Sequence, residues 1–162
     1  MNRLLRLFLI TVFCLSMCLC TYSAFAAGTV TIARDRISLD RSNQWKRVVL
    51  TITWTADAAD ATVPATAIAP LTYDLKGWYL YSAETNPGDT APTDGYNVTL
   101  VDADGVDVAG GRLTGRSEST SQLVVGFGAN NYPVFYSIWT FTIAGNAVNS
   151  ATGTLILTFV SD

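Results

Sequence analysis

The chain has 162 residues, of which 49% are apolar and 14% charged, and it contains no histidine. Its three cysteines all lie within the first 20 residues, so the rest of the chain has no disulfide, no Ser-His or Cys-His pair and no conventional zinc site. Neither of the two lysines lies in a Ser-x-x-Lys motif, which leaves a glycosidase-type carboxylate pair as the catalytic alternative. We therefore predict a protein that is not an enzyme.

Residues 1–26 have the order of a secretory signal peptide. Arg3 and Arg6 precede an almost wholly apolar run over residues 7–19, and Ala24 and Ala26 supply the small residues before a cleavage site. We predict cleavage after Ala26. The protein would then be exported to the periplasm, the cell surface or the medium as a single domain of residues 27–162.

Two alternatives compete with cleavage. A retained membrane anchor would need about 20 apolar residues, and the run is shorter. A lipoprotein signal is suggested by Leu15 three positions before Cys18, but Met17 is bulkier than the residue expected there. We therefore expect no membrane attachment once the leader is removed.

Without the leader, the chain carries eight basic and thirteen acidic residues, a net charge of −5. Nucleic acids and anionic lipids are bound by clustered lysine and arginine, which this balance does not favour. The composition therefore predicts no nucleic-acid partner.

From residue 28 onward the sequence predicts short strands separated by turns, and no capped amphipathic helix. The segments are residues 28–33, 48–55, 61–70, 76–84, 96–100, 107–109, 122–127, 134–143 and 153–160. Pro64 and Pro70 cannot donate backbone hydrogen bonds, so the third segment is expected to be an edge strand or a loop. The segment 110–121 between two strands is polar and carries glycines at its start.

Residues 48–55 carry the clearest alternation in the chain, with large apolar residues at even positions and mostly threonine at odd positions. This pattern is typical of a strand buried on one face, and it places Trp54 in the core. Seven or eight such strands predict an all-β antiparallel β-sandwich. A closed barrel is the competing architecture.

The segment 92–121, PTDGYNVTLVDADGVDVAGGRLTGRSESTS, resembles a family of small β-rich proteins of tailed bacteriophages and prophages. Members carry a similar run from APTD through D-x-D-G-x-D-V to a pair of glycines. Residues 51–55 and 153–157 fit the family's first and last core strands. The resemblance implies a virion-associated structural role, assembly with protein partners or with itself, and no catalytic residues. The leader departs from this pattern, because virions assemble in the cytoplasm.

Asp102, Asp104 and Asp107 resemble the opening of a calcium loop. An EF-hand would require glutamate at the twelfth position, where the chain has Leu113. The alternative is a hairpin turn in which Asp-Gly supplies the positive φ angles. We predict the turn and no cofactor, with calcium as the alternative ligand.

Trp78, Tyr79 and Tyr81 lie in one aromatic strand, with Trp78 on one side and the two tyrosines on the other, and are candidates for a ligand platform. Tyr132, Tyr136 and Trp139 would complete the aromatic set of a carbohydrate-binding module. The alternative is core packing with a half-exposed aromatic face, because strands favour aromatic residues. The expected function is thus structural or assembly-related, with a secreted carbohydrate- or surface-binding module as the second hypothesis.

Overall fold

The computed structural model describes residues 26–38, 46–127 and 133–161, so most of the predicted leader lies outside the described residues. The described residues form eight strands and no helix, and hence contain no helix able to span a membrane. The strands are β1 (Thr29–Ser38), β2 (Lys46–Thr55), β3 (Thr66–Ile68), β4 (Tyr79–Pro87), β5 (Asn97–Val101), β6 (Gln122–Val125), β7 (Trp139–Ala144) and β8 (Thr152–Ser161).

The strands form two antiparallel sheets. The larger sheet has the order β1-β2-β8-β4-β6, and the smaller has the order β3-β7-β5. β8 pairs with β2 on one side and with β4 on the other, over nearly its whole length. The two sheets remain separate in the described part of the chain and do not close into a barrel, which confirms the predicted β-sandwich.

The core lies between the facing surfaces of the two sheets. The even-numbered residues of β2 from Val48 to Trp54 are at most 2% exposed, as their alternation predicted. At one end of the core, Trp139 of the small sheet lies 6.0 Å from Phe159 of the large sheet, between ring centroids. At the other end, Trp54 lies 5.9 Å from Tyr96. Aromatic rings from both sheets therefore fill the interior, which no disulfide crosslinks.

A β-bulge in β4 changes which residues of that strand face the core. The register with β8 shifts between Leu80 and Ser82, so Tyr81 is the extra residue. Leu80 and Ala83 are both fully buried, although strict alternation would put them on opposite faces. The bulge thus keeps both apolar side chains in the core and leaves Tyr81 on the surface.

The predicted segments 107–109 and 134–143 do not form the single strands expected of them. The return strand at 107–109 consists of a single bridge between Val101 and Asp107 followed by turns, because the Asp107 carboxylate bonds to the local backbone. The segment 134–143 splits: only Trp139–Ala144 forms β7 of the small sheet, while Val134 bridges to Tyr79 of the large sheet. The chain therefore crosses between sheets within a run that looks continuous in sequence. The proline-containing segment 61–70 contributes only β3, an edge strand, as expected.

Candidate functional site

The turn at 102–105 is held by its own first carboxylate. Asp102 Oδ1 accepts hydrogen bonds from the backbone amides of Asp104, at 3.0 Å, and Val106, at 2.9 Å. Gly105 takes a positive φ of 83°, and Asp104 does not share it. The positive φ therefore falls on the glycine alone rather than on the Asp-Gly pair.

The Asp107 carboxylate is likewise directed at backbone amides. Its Oδ1 accepts from Leu100 and Ala109, and its Oδ2 accepts from Gly111 at 2.8 Å. No group of three or more acidic, histidine or cysteine side chains among the described residues is arranged to hold a metal ion. The carboxylates of Asp102 and Asp107 thus serve turn geometry, and Asp104 is exposed.

The three strand aromatics do not share one face. Trp78 packs against the core cluster, whereas Tyr79 is half-buried and Tyr81 is 42% exposed. Of the additional aromatics, Trp139 is a core residue, Tyr132 lies outside the described residues and Tyr136 is 65% exposed. The most exposed described tyrosine is therefore Tyr136, one of the additional aromatics, and not Tyr79 or Tyr81 of the predicted platform.

The outer face of the large sheet is divided into two chemically different halves. On β1, β2 and β8, threonines lie in register across the strands: Thr31 pairs with Thr53, which pairs with Thr154. On β6, Leu123 is 60% and Val125 44% exposed, since Val124 between them faces the core. We call Tyr81, Leu123 and Val125, with the half-buried Ile156 and Val160 of β8, the apolar half of the outer face. In the cross-strand register, Glu84 of β4 lies between Leu123 and Ile156, so the two strands' apolar residues are separated by one carboxylate.

A groove opens at one end of the sandwich between residues 69–71 and 136–138. Its volume is about 270 Å³, and its lining includes Leu71, Lys76, Tyr136, Ser137 and Ile138. Leu71 is 76% exposed and Ile138 51%, so the walls are apolar and open to water. Sequence reasoning named Tyr136 but not the other lining residues, because they come from distant segments with no shared pattern.

The tyrosine ring of the groove lies against a glycine. A Cβ built on Gly77 would lie 3.6 Å from Tyr136 Cε1, which is ordinary van der Waals contact. The Gly77 amide donates to the Phe135 carbonyl at 3.0 Å, and the Phe135 amide donates to the Trp78 carbonyl at 2.8 Å. Backbone pairing therefore fixes the segment that carries Tyr136.

The shifted pKa values have structural causes. A hydrogen bond from the Thr62 hydroxyl lowers the pKa of the exposed Asp60 carboxyl. Burial raises the pKa of the partly buried Tyr73 and that of the core residue Tyr96. Tyr96 Oη is buried without a hydrogen-bond partner, although the nearby Thr85 and Arg116 oppose the rise in its pKa. None of these groups lies in the lining of the groove.

Comparison with known proteins gives weak structural matches only. No family model and no curated protein matches the sequence. One solved structure with similarity is a low-affinity xylan-binding module, CBM86, from Roseburia intestinalis, at 11% identity over 83% of this chain and 95% of that chain, with a TM-score of 0.32. Another is a chain of the cyanophage Pam1 capsid, at 18% identity over 83% and 84%, with a TM-score of 0.30. Both scores lie below 0.5, so neither match assigns a function to this chain.

Proposed function

We propose that this protein is a non-catalytic structural subunit that assembles, with itself or with another protein, through the apolar half of its outer face. The observation that carries the proposal is the exposure of Leu123, Val125 and Tyr81 on adjacent strands of one sheet. Exposed apolar side chains grouped on one face of a folded domain are typical of protein–protein interfaces.

The geometry of the face supports this role. Val125 pairs with Ser82, and the Gly126 amide donates to the Tyr81 carbonyl, so Tyr81 lies beside the end of β6. Arg112 donates hydrogen bonds to the Val125 and Gly126 carbonyls, which occupies part of the β6 edge. A partner would therefore meet the side chains of this face rather than extend the sheet at that edge.

Sedimentation equilibrium of the purified protein tests the proposal. We expect self-association, or capture by a structural protein encoded beside it, that Leu123→Glu abolishes without lowering the melting temperature. Thr53→Glu is the matched control, because it places the same charge on the threonine half of the same face. The assignment of this face would be contradicted if the protein stays monomeric and binds no partner. It would also be contradicted if Thr53→Glu disrupts association as much as Leu123→Glu does.

The groove supports a second candidate function, carbohydrate binding. An exposed tyrosine ring offers a flat apolar face on which a pyranose ring can stack, and the neighbouring Ser137 hydroxyl can hydrogen-bond to sugar hydroxyls. Affinity electrophoresis in gels containing soluble polysaccharides tests this function. Retardation that Tyr136→Ala removes and Tyr81→Ala preserves is expected, and unretarded migration in every polysaccharide would exclude it.

The sequence further leads us to propose that the protein is exported and that it holds no cofactor. The leader supports export, and the use of the Asp102 and Asp107 carboxylates in turn hydrogen bonds supports the absence of calcium.

A further inference from the structure

We infer that the groove binds an acidic sugar, namely a uronate unit within a polysaccharide chain, with Lys76 pairing to the sugar carboxylate. The inference rests on the second proposed function, carbohydrate binding in this groove, and names its ligand class. It follows from the charge of the groove, from the rigidity of its walls and from its size.

Lys76 is the one charged residue in the lining of the groove. The chain has only two lysines and is acidic overall. The nearby acid, Asp74, has its carboxylate 3.7 Å from the guanidinium of Arg34. Among the described residues Lys76 has no ion pair of its own, and its ammonium group is exposed and can accept an anionic ligand.

Each exposed residue of the groove lies next in sequence to a buried one. Leu71 follows the buried Pro70, and Lys76 follows Leu75, which is fully buried and whose amide donates to the Pro70 carbonyl at 2.8 Å. On the opposite wall, Tyr136 follows the fully buried Phe135. The buried neighbours hold the exposed side chains in place, so little ordering is needed when a ligand binds.

The shape and chemistry of the groove match a sugar ring that carries a carboxylate. The volume of about 270 Å³ is just below the range for drug-sized ligand pockets, and the groove is open, so it can hold one sugar ring of a longer chain. A uronate has a C–H face for the Tyr136 ring and an anion for Lys76. A neutral sugar would leave the ammonium group hydrated and would gain nothing from its charge.

Polygalacturonate and its fully methyl-esterified form are the matched probes, because esterification removes the charge and keeps the sugar. We expect the protein to bind the acid form more tightly, with a difference that shrinks as sodium chloride is added. Lys76→Met should weaken binding of the acid form by up to about fivefold, the upper end of the range for a solvent-exposed ion pair, and leave binding of the ester unchanged. Lys76→Arg should retain the preference, and Tyr136→Ala should lose both ligands.

The controls separate this inference from the function on which it rests. Arg47→Met removes an exposed cation elsewhere on the large sheet and should change nothing. Equal binding of acid and ester would overturn the uronate inference and leave carbohydrate binding standing. Binding of neither probe, nor of any neutral polysaccharide, would overturn both. Polyglutamate tests for an acidic peptide and dodecanoate for an amphiphile. If either binds as tightly as polygalacturonate and Lys76→Met weakens that binding, the groove is not specific for a uronate and the inference is overturned.

Discussion

The packing of Trp54 against Gly153 predicts that even a methyl group added at position 153 lowers stability. The two residues are cross-strand partners in β2 and β8, and Trp54 is 1% exposed. A Cβ built on Gly153 would lie 2.6 Å from Cζ2 and 2.8 Å from Cε2 of the indole ring. Because real Cβ contacts are not that short, Gly153→Ala must displace the ring, and the buried ring has no route into solvent.

The cost follows from overpacking. Adding a methyl group to a filled core costs about 1–3 kcal/mol of unfolding free energy, and we expect Gly153→Ala to fall in that range. Trp54→Phe removes the part of the indole that meets the new methyl group, at its own cost from the lost packing. The double variant should therefore be more stable than the sum of the single effects predicts, by about 0.5–3 kcal/mol.

Urea unfolding followed by far-UV circular dichroism measures all four proteins, since loss of Trp54 would compromise a fluorescence signal. The m-values should agree across the set, so that midpoint changes report stability alone. Wild-type stability of Gly153→Ala, or strictly additive effects in the double variant, would refute the proposed contact.

Three further predictions concern pH, the acidic turn and the leader. Because the folded chain holds the Tyr96 proton above the ordinary pKa of about 10, stability should fall as pH rises past that value, and Tyr96→Phe should flatten the fall in thermal melts from pH 8 to 11. Millimolar calcium should leave the melting temperature unchanged, and Asp104→Asn should be nearly neutral. Gly105→Val should lower the unfolding free energy by about 1–3 kcal/mol, because position 105 has a positive φ. A calcium-induced rise in melting temperature that Asp104→Asn abolishes would make the turn a metal site. N-terminal sequencing of exported protein should begin at Ala27, and finding Met1 there would exclude cleavage.

The parts of the fold that were predictable from sequence depend on local periodicity. The alternation of β2 predicted both the strand and the burial of Trp54. Large apolar residues occupy every second position, so they can be buried together only if all of them face the core, and a one-residue shift in register would expose them all. The bulge at Tyr81 was not predictable, since the residues before and after it each alternate normally and only pairing with β8 reveals the extra residue.

The candidate sites show the same limit more strongly. The turn at Gly105 was expected from its own residues, because its hydrogen bonds are local. The groove combines Leu71 and Lys76 with Tyr136 and Ile138, about 60 residues later in the chain. Its existence depends on Val134 pairing with Tyr79 while Trp139 enters the other sheet, and no periodicity within residues 134–143 marks that change.

The central position of β8 has a consequence for how this chain acquires its fold. Of the eight strands, β8 comes last in the sequence, yet it joins the β1-β2 pair to the β4-β6 pair. Before β8 has been synthesised, the large sheet can exist only as two separate two-stranded ribbons, which are marginally stable in water. The large sheet therefore cannot form until β8 is present. Its formation then requires β2 to pair with β8, which lies about 100 residues later in the chain. Until then the edge of β2 that faces β8 has no strand to pair with.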